Sequence, residues 1–580
     1  MTALDHRRAQ VLVIGAGAAG LRAAIAAHEA GREVVVVGKS RSRDAHTVLA
    51  AGGINAVLGT RDPEDSWQQH FADTYLEGYL LADPRAVELL AREAPRAVEE
   101  LVAWGAPFAL TDDGRLDQRF FGAHRYRRTC YAGDWTGRAV LHALADRVEE
   151  LGLPVVENMY VTRLLVEGGA CVGAMAFDHG SGQRVVWYAD AVVLAAGGHT
   201  RLWQRSSSRQ DENTGDGMAL ALAAGAELAD MELVQFHPTG MVAPEDMVGT
   251  LVTEAVRGEG GRLLNALGER FMERYDPQRM ELSTRDRVAM ANYTEIVDGR
   301  GGPNGGVFLD ISHRSLEHIR ETLPRMHRQF LDAQGLDISK EPMEVAPVAH
   351  YSMGGVVVEP DSHATTVAGL YAAGEVTSGV HGANRLGGNS LAETVVFGRR
   401  AGEAAAAHAA CHAGQAPSAA TVQDADDALR ALVGRGDTDA REVERELRTT
   451  MWEHAGVVRD ERGLRAGLDR LDGLRAAAKD LDVRPEDEGH RALALALDVR
   501  AALLSAEATL RGALERRESR GAHQRSDHPE TDPALAVNFV VRLDGGRQVV
   551  HPRAVVEVPA ELQEVLEGAE ALPVAGRLLE

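Results

Sequence analysis

Two rhythms of apolar and polar positions open this chain. Val11 to Ile14 is an unbroken apolar run, the pattern of a parallel strand buried on both faces, and Leu21 to Ala30 repeats small and apolar residues at helical spacing. Between them Gly15, Gly17 and Gly20 occupy a G-x-G-x-x-G frame filled by Ala16, Ala18 and Ala19. Further strand-like runs follow at Glu33 to Val37 and Ala191 to Leu194. Strands alternating with helical patterns predict a doubly wound α/β domain over residues 1–235. Residues 236–346 turn irregular, rich in Gly, Arg and short helices, and predict a separate capping domain inserted into the first. Tyr371 to Val376 (YAAGEV) restores an apolar strand and a Gly-acid turn, so residues 347–410 are expected to return to the first domain and to end in an Ala-rich helix, Ala401 to Ala410. A charged, strongly helical domain is expected over 411–528, with its polar faces solvated. A small strand-containing segment, 529–580, completes the chain, and no internal repeat is evident.

The glycine frame points to a dinucleotide. Glycines at these positions permit a tight turn and a close backbone approach to a pyrophosphate, which the free N–H groups and dipole of the following helix stabilise. The acidic ribose ligand common in nicotinamide-binding folds is missing, because the second strand ends in Gly38-Lys39-Ser40. A second strand-to-glycine turn, AVVLAAGG ending in Gly197-Gly198, precedes NTGDG (Asn213 to Gly217).

Composition narrows the class. With 580 residues, 45% hydrophobic and 26% charged, the chain should fold into several domains with sizeable cores. The net charge of −24 argues against nucleic acid or anionic lipid as the main partner. No apolar stretch approaches the roughly 18 to 20 residues of a membrane span. Arg7-Arg8 is not read as an export signal, since the apolar run behind it is the first strand of the glycine motif, and a cytoplasmic protein is expected. Cys130, Cys171 and Cys411 are widely spaced and form no iron–sulfur or metal pattern, so no metal site is expected.

Five further segments carry chemistry. AHTVLAAGGINAVLG (Ala45 to Gly59) places His46 and Thr47 ahead of Gly52-Gly53. FHPTG contains His237; on its own a His before Pro reads as a turn residue. LVTEAVRGEGG sets Thr253 and Glu254 near Arg257 ahead of a glycine-rich turn. STRDRVA contains Arg285, and VHGANRLGGNSLAETVVFGRRAG contains Arg385, Ser390 and Leu391.

Taken in this order, HTV with GGINAVLG, HPTG, TEAVRGEGG and HGANRLGGNSL resemble the succinate dehydrogenase and fumarate reductase flavoprotein subunits over nearly the whole chain, and RRESRGAH (Arg516 to His523) extends the likeness. The resemblance implies an α/β chain with a Rossmann-like FAD-binding domain, an inserted α+β capping domain and a C-terminal helical domain. It implies FAD joined covalently through His46, with Lys39, Ser40, Thr47, Gly52, Gly53, Gly197, Gly198, Asp216, Glu375, Ser390 and Leu391 also at the cofactor. A C4 dicarboxylate is the implied substrate, with His350 of AHYSMGG and Arg385 at one carboxylate and His237 and Thr253 at the other. Arg285 is the implied proton donor, relayed by Glu254 and Arg257, although a guanidinium normally holds its proton to a pKa above about 12. The implied partners are a membrane anchor and an iron–sulfur protein, which would place the chain peripherally on the inner face of the cytoplasmic membrane.

The alternative is a soluble enzyme similar to L-aspartate oxidase, which shares HPTG and the HGANR arginine. That family lacks the attachment histidine and has a glutamate near the segment that here reads RFFGAHRYRRTCYAGDWTG, where no carboxylate precedes Asp134. Both features favour a dicarboxylate without an amine. A catalytically silent flavin carrier would be expected to have lost one of His237, Arg285, His350 or Arg385, and all four are present.

Overall fold

The computed structural model describes residues 3–570 apart from 435 and 485–489; the last ten residues of the expected C-terminal segment lie outside the described residues. A seven-stranded sheet forms its centre, with β1 (Asp5–Ile14), β2 (Val34–Val37), β3 (Val155–Val156), β4 (Met159–Glu167), β5 (Ala170–Asp178) and β6 (Arg184–Leu194) in the order β3-β2-β1-β6-β5-β4. β3, β2, β1 and β6 run parallel, and β6, β5 and β4 form an antiparallel meander. A late strand, Leu370–Ala372, returns to pair in parallel with the end of β6, so residues on both sides of the central insertion share one sheet.

β1 feeds two cores. Val11 and Val13 face a layer of helices that includes α1 (Ala18–Glu29), while Leu12 and Ile14 face the opposite layer. Burial on both faces is why these strands read as continuous apolar runs and do not alternate.

The segment from 234 to 352 builds a second, antiparallel sheet. Its strands β7 (Val234–Met241), β8 (Arg262–Leu264), β9 (Val307–Asp310) and β10 (Met343–Ser352) lie in the order β7-β10-β9-β8. Helix α2 (Arg285–Glu295) is tied to β7 by a hydrogen bond from Asn292 to Pro238 O, 2.9 Å. The divisions expected at 235/236 and 346/347 therefore both fall inside strands. HPTG, read alone as a turn, is part of β7. The β7–β10 ladder slips twice, once between Gln235 and Phe236, where His350 is the extra residue on β10, and once between His237 and Gly240. Bulges of this kind re-aim side chains, and these two flank His237 and His350.

After the return strand, α3 (Asn389–Cys411) packs on α1. A Cβ at Gly398 or Gly402 would collide with Ala19 O or Ala23 O, so the small residues one turn apart let the two helices approach closely. The helices Ala440–His454, Glu461–Ala477 and α4 (Arg491–Glu515) share a core with Trp203 and Phe236, which anchors the helical region beside β7. β11 (Val537–Asp544) and β12 (Arg547–Ala554) form a hairpin whose first strand pairs with Leu228–Ala229. No helix of the described residues is long and apolar enough to cross a membrane.

Candidate active site

One cleft, open to solvent, runs from the glycine loop to the second sheet. At its first end Gly15 adopts φ +115°, and a side chain there would strike Ala195 O. Gly17 is different: a Cβ on it would meet only Thr47 Oγ1, at 3.5 Å, so the space over the loop is left free. Gly17 is also the N-cap of α1 and offers no side chain to its free N–H groups; Ala18 N donates to Thr47 Oγ1 at 3.2 Å. The N-terminus of α3 is likewise uncapped, behind Gly388 at φ +84°, and presents Ser390 and Leu391 to the cleft. Open helix N-termini over a cradle without side chains fit the diphosphate and ring oxygens of a flavin dinucleotide.

Ala16, Ala18, Ala19, Ser40, Thr47, Gly52, Gly53, Gly197 and Asp216 also line this cleft. Gly20 and Gly198 do not. A Cβ at Gly20 would strike Gly15 O, and one at Gly198 would strike Ser352 Oγ and Glu375 Oε1, so both glycines serve packing. Lys39 lines the cleft and its Nζ lies 2.6 Å from Asp498 and 3.5 Å from Asp216. Burial opposes the Lys39 charge, yet Asp498 and Asp216 outweigh it and hold the ammonium above its ordinary pKa. Asp498, on α4, also accepts from Tyr160 Oη at 2.9 Å. Glu375 lines the cleft and accepts from Ser352 N at 3.0 Å. His46 lies in the short turn His46–Leu49, its Nδ1 3.0 Å from Glu212 Oε2.

The second end gathers the remaining expected residues. His237, Thr253, Glu254, Arg285, His350 and Arg385 all line it, together with Phe121 and Tyr351. His237 and His350 meet edge to face with centroids 5.1 Å apart. Nδ1 of His237 is engaged by Thr239 and Nδ1 of His350 by Ser207 Oγ at 2.9 Å, so Nε2 of each ring is free of the described residues. Burial, then Arg285 and Arg257, pushes the His237 pKa well below the ordinary histidine value; burial, then His237 and Arg385, does the same for His350. Both rings are neutral at physiological pH.

Arg285 and Arg385 share one acceptor. Gln235 Oε1 lies 3.0 Å from Arg285 Nη1 and 3.0 Å from Arg385 Nη2, while Gln235 Nε2 donates to Asn384 Oδ1 and Arg385 O. Arg285 Nε donates to Glu254 Oε2 at 2.9 Å, and Gly122 N donates to Glu254 Oε1 at 3.0 Å. Arg257 stands behind Glu254 and outside the cleft lining, with Nη2 3.7 Å from Oε2. Burial opposes the Glu254 charge, but Arg285 and Arg257 together hold its pKa far below the usual carboxylate range. Arg385 stacks over the Tyr351 ring at 4.1 Å, is 3% exposed, and forms no ion pair with any described carboxylate; its Nε has no hydrogen-bond partner. A cation so placed needs an anion from elsewhere. Asp134, the nearest acidic residue in the segment from Arg119 to Gly137, is absent from the lining and accepts instead from Arg325 N.

Gln235, Phe121, Tyr351, Glu212 and Asp498 were not singled out from the sequence. Only Gln235 carried a usable signal, since the two-residue strand repeat places it on the face of His237.

Residues 10–391 match the FAD binding domain family, and residues 444–547 match the fumarate reductase flavoprotein C-terminal family. A chain of the CoM/CoB fumarate reductase of Methanothermobacter marburgensis is 47% identical over 525 residues, covering 90% of this chain and 95% of that one. The succinate dehydrogenase flavoprotein subunit of Rickettsia bellii is 36% identical over 603 residues, covering 99% and 98%. The solved structure of Mycobacterium smegmatis Sdh1 in complex with UQ1 is 41% identical, superposes with a TM-score of 0.88, and matches 96% of each chain. With a glycine cradle and open helix N-termini at one end of the cleft, and at the other a buried arginine that has no ion pair among the described residues, the likeness over nearly the whole chain places it in the FAD-containing succinate dehydrogenase and fumarate reductase flavoprotein family.

Proposed function

We propose that this chain interconverts succinate and fumarate by hydride exchange with an FAD held covalently at His46, and that it passes electrons through a partner iron–sulfur protein to quinone. A membrane anchor would hold the assembly on the inner face of the cytoplasmic membrane. The observation that carries the reading is Arg385: a buried guanidinium with no carboxylate ion pair among the described residues, facing the cleft that the glycine loop also lines.

Each residue then has a task. Arg385 presents donors to one substrate carboxylate, with the neutral His350 ring beside it. His237 and Thr253 hold the other carboxylate from β7 and the loop that follows. Holding both ends with cationic and hydrogen-bonding groups polarises the C=C bond of the unsaturated acid. Bound FAD supplies the hydride acceptor or donor. Arg285 moves the proton at the neighbouring carbon, and Glu254, an anion in the resting site, takes up or restores that proton with Arg257 behind it. Gly15, Ala16, Gly17, Ala18 and Ala19 would hold the diphosphate of bound FAD, with Ser390 and Leu391 beside its ring.

The test uses the purified, flavin-loaded chain. Succinate should reduce an artificial dye, a reduced viologen should be oxidised by fumarate, and malonate should compete in both assays. Full flavin loading with turnover of neither acid would overturn the proposal.

A further inference from the structure

The Glu212 carboxylate reaches the attachment histidine from a distant part of the chain. Its Oε2 lies 3.0 Å from His46 Nδ1, and its Oε1 lies 3.4 Å from Arg209 Nη1, so one oxygen is tethered and the other faces the ring. The His46 side chain is 27% exposed and that of Glu212 10%, and both line the cleft. Burial works against a protonated His46, but Glu212, with Glu375 beyond it, outweighs burial and makes the ring more basic than an ordinary histidine.

From this pairing we infer that Glu212 positions and activates His46 for covalent attachment of the flavin. The inference rests on the proposal that His46 carries FAD. A carboxylate at Nδ1 fixes the tautomer with hydrogen on Nδ1 and the lone pair on Nε2. Nε2 is then the atom that forms the bond to the 8α carbon. As that bond forms, positive charge grows on the ring, and Glu212 offsets it and takes the Nδ1 proton. The methyl group loses one proton, and its C–H electron pair enters the flavin, which is left reduced by two electrons. The two protons released, from the methyl and from Nδ1, balance the two taken up by the reduced flavin, so no atom is lost. An α,β-unsaturated dicarboxylate, the oxidised substrate of the proposed reaction, then removes the electron pair.

The side-chain contacts of Glu212 are with His46 and Arg209, and not with Arg385 or the proposed Glu254–Arg285–Arg257 relay, so its loss should separate attachment from substrate binding. Apo-protein of the wild type, Glu212→Ala, Glu212→Asp and His46→Ala would be mixed with FAD. Bound flavin would be measured by absorbance, attached flavin by fluorescence of the denatured chain and by intact mass, and malonate binding by titration. Glu212→Ala should bind FAD and malonate like the wild type yet attach flavin about 10- to 100-fold more slowly, with Glu212→Asp recovering part of the rate. Wild-type attachment rates in Glu212→Ala, while His46→Ala stays unlabelled, would overturn the role of Glu212 and leave His46 as the attachment point. A wild type that binds FAD but never retains it after denaturation would overturn both. If Glu212→Ala fails to bind FAD, Glu212→Asp decides: slowed attachment on bound flavin supports the role, and an unchanged rate refutes it.

Discussion

Arg285 Nε donates to Glu254 Oε2 at 2.9 Å in the lining of the cleft that Arg385 faces without an ion-pair partner among the described residues. The two arginines lie on one amide oxygen of Gln235 but have opposite electrostatic settings. Arg285 is ion-paired with Glu254, and Arg385 has no ion pair among the described residues. In the proposed reaction they divide proton movement from carboxylate binding. Arg285→Gln should leave malonate affinity largely intact and lower kcat by about 10²- to 10⁴-fold, the range for loss of a positioned acid. Arg385→Lys, which loses the planar fork, should raise KM and also slow turnover. Flavin absorbance titrations with malonate and single-turnover rates separate the two outcomes. Near wild-type turnover in Arg285→Gln would refute the division.

Gln235 supplies the geometry that both arginines need. Its amide is itself held by Asn384, whose Nδ2 donates to Glu77 at 2.7 Å and Asp286 at 3.0 Å. Gln235→Leu removes the shared acceptor and leaves two guanidinium groups free to drift apart under their own repulsion. Displacements of about 1 Å in a positioning group cost about 10²-fold. KM and kcat should therefore both worsen in Gln235→Leu, whereas Gln235→Glu should keep the acceptor but pair with Arg385 and weaken malonate binding. Unchanged steady-state constants in Gln235→Leu would remove Gln235 from the machinery.

Burial first, and then the charge of Arg285, lowers the Arg385 pKa to about 10. The ligand-binding form is the cation, present below that pH. Malonate affinity of the flavin-loaded chain should be flat between pH 6 and 8, because His237 and His350 are already neutral there, and should fall as pH rises through about 10. A step near pH 6.5 in malonate affinity would mean that one of the two histidines binds as a cation.

Much of this site was legible because its residues lie in short segments with local chemistry. The glycine frame announces a turn between a strand and a helix, and the TEAVRGEGG and HGANR segments carry their own charges. Contacts across the chain were not legible. Lys39 and Asp498 stand 459 positions apart, and nothing in the helical pattern of α4 marks Asp498 as a lysine partner. Glu212 sits in a polar loop ahead of NTGDG and gains a role only from the fold that brings His46 to it. Gly20 and Gly198 illustrate the reverse, motif glycines whose missing side chains make room for backbone and neighbouring side chains of the protein. The expected domain divisions missed the strand ends because HPTG and the residues around His350 are bulged, and a bulge breaks the two-residue alternation by which a strand is read.

Glu77 ties this network to folding stability. Burial, reinforced by Asp286, raises its pKa to about 8, against opposing pulls from Arg279 and Arg285 and a further push from Glu254. In the unfolded chain the same carboxyl ionises near 4.5. The folded state therefore holds a proton that the unfolded state releases, so the stabilising contribution is complete below about pH 4.5 and is lost as pH rises toward 8. Glu77→Gln keeps an acceptor for Asn384 Nδ2 and removes the titration. The variant and the wild type should melt together at about pH 4.5, and the variant should become the more stable by on the order of 3–5 kcal/mol by pH 8.5. Thermal scans at fixed rate across about pH 4 to 9, made on apo-protein so that cofactor binding does not mask the difference, would check this. A gap that is constant with pH would show that Glu77 is ionised in the fold, and a variant less stable at high pH would show that its charge is favourable where it lies.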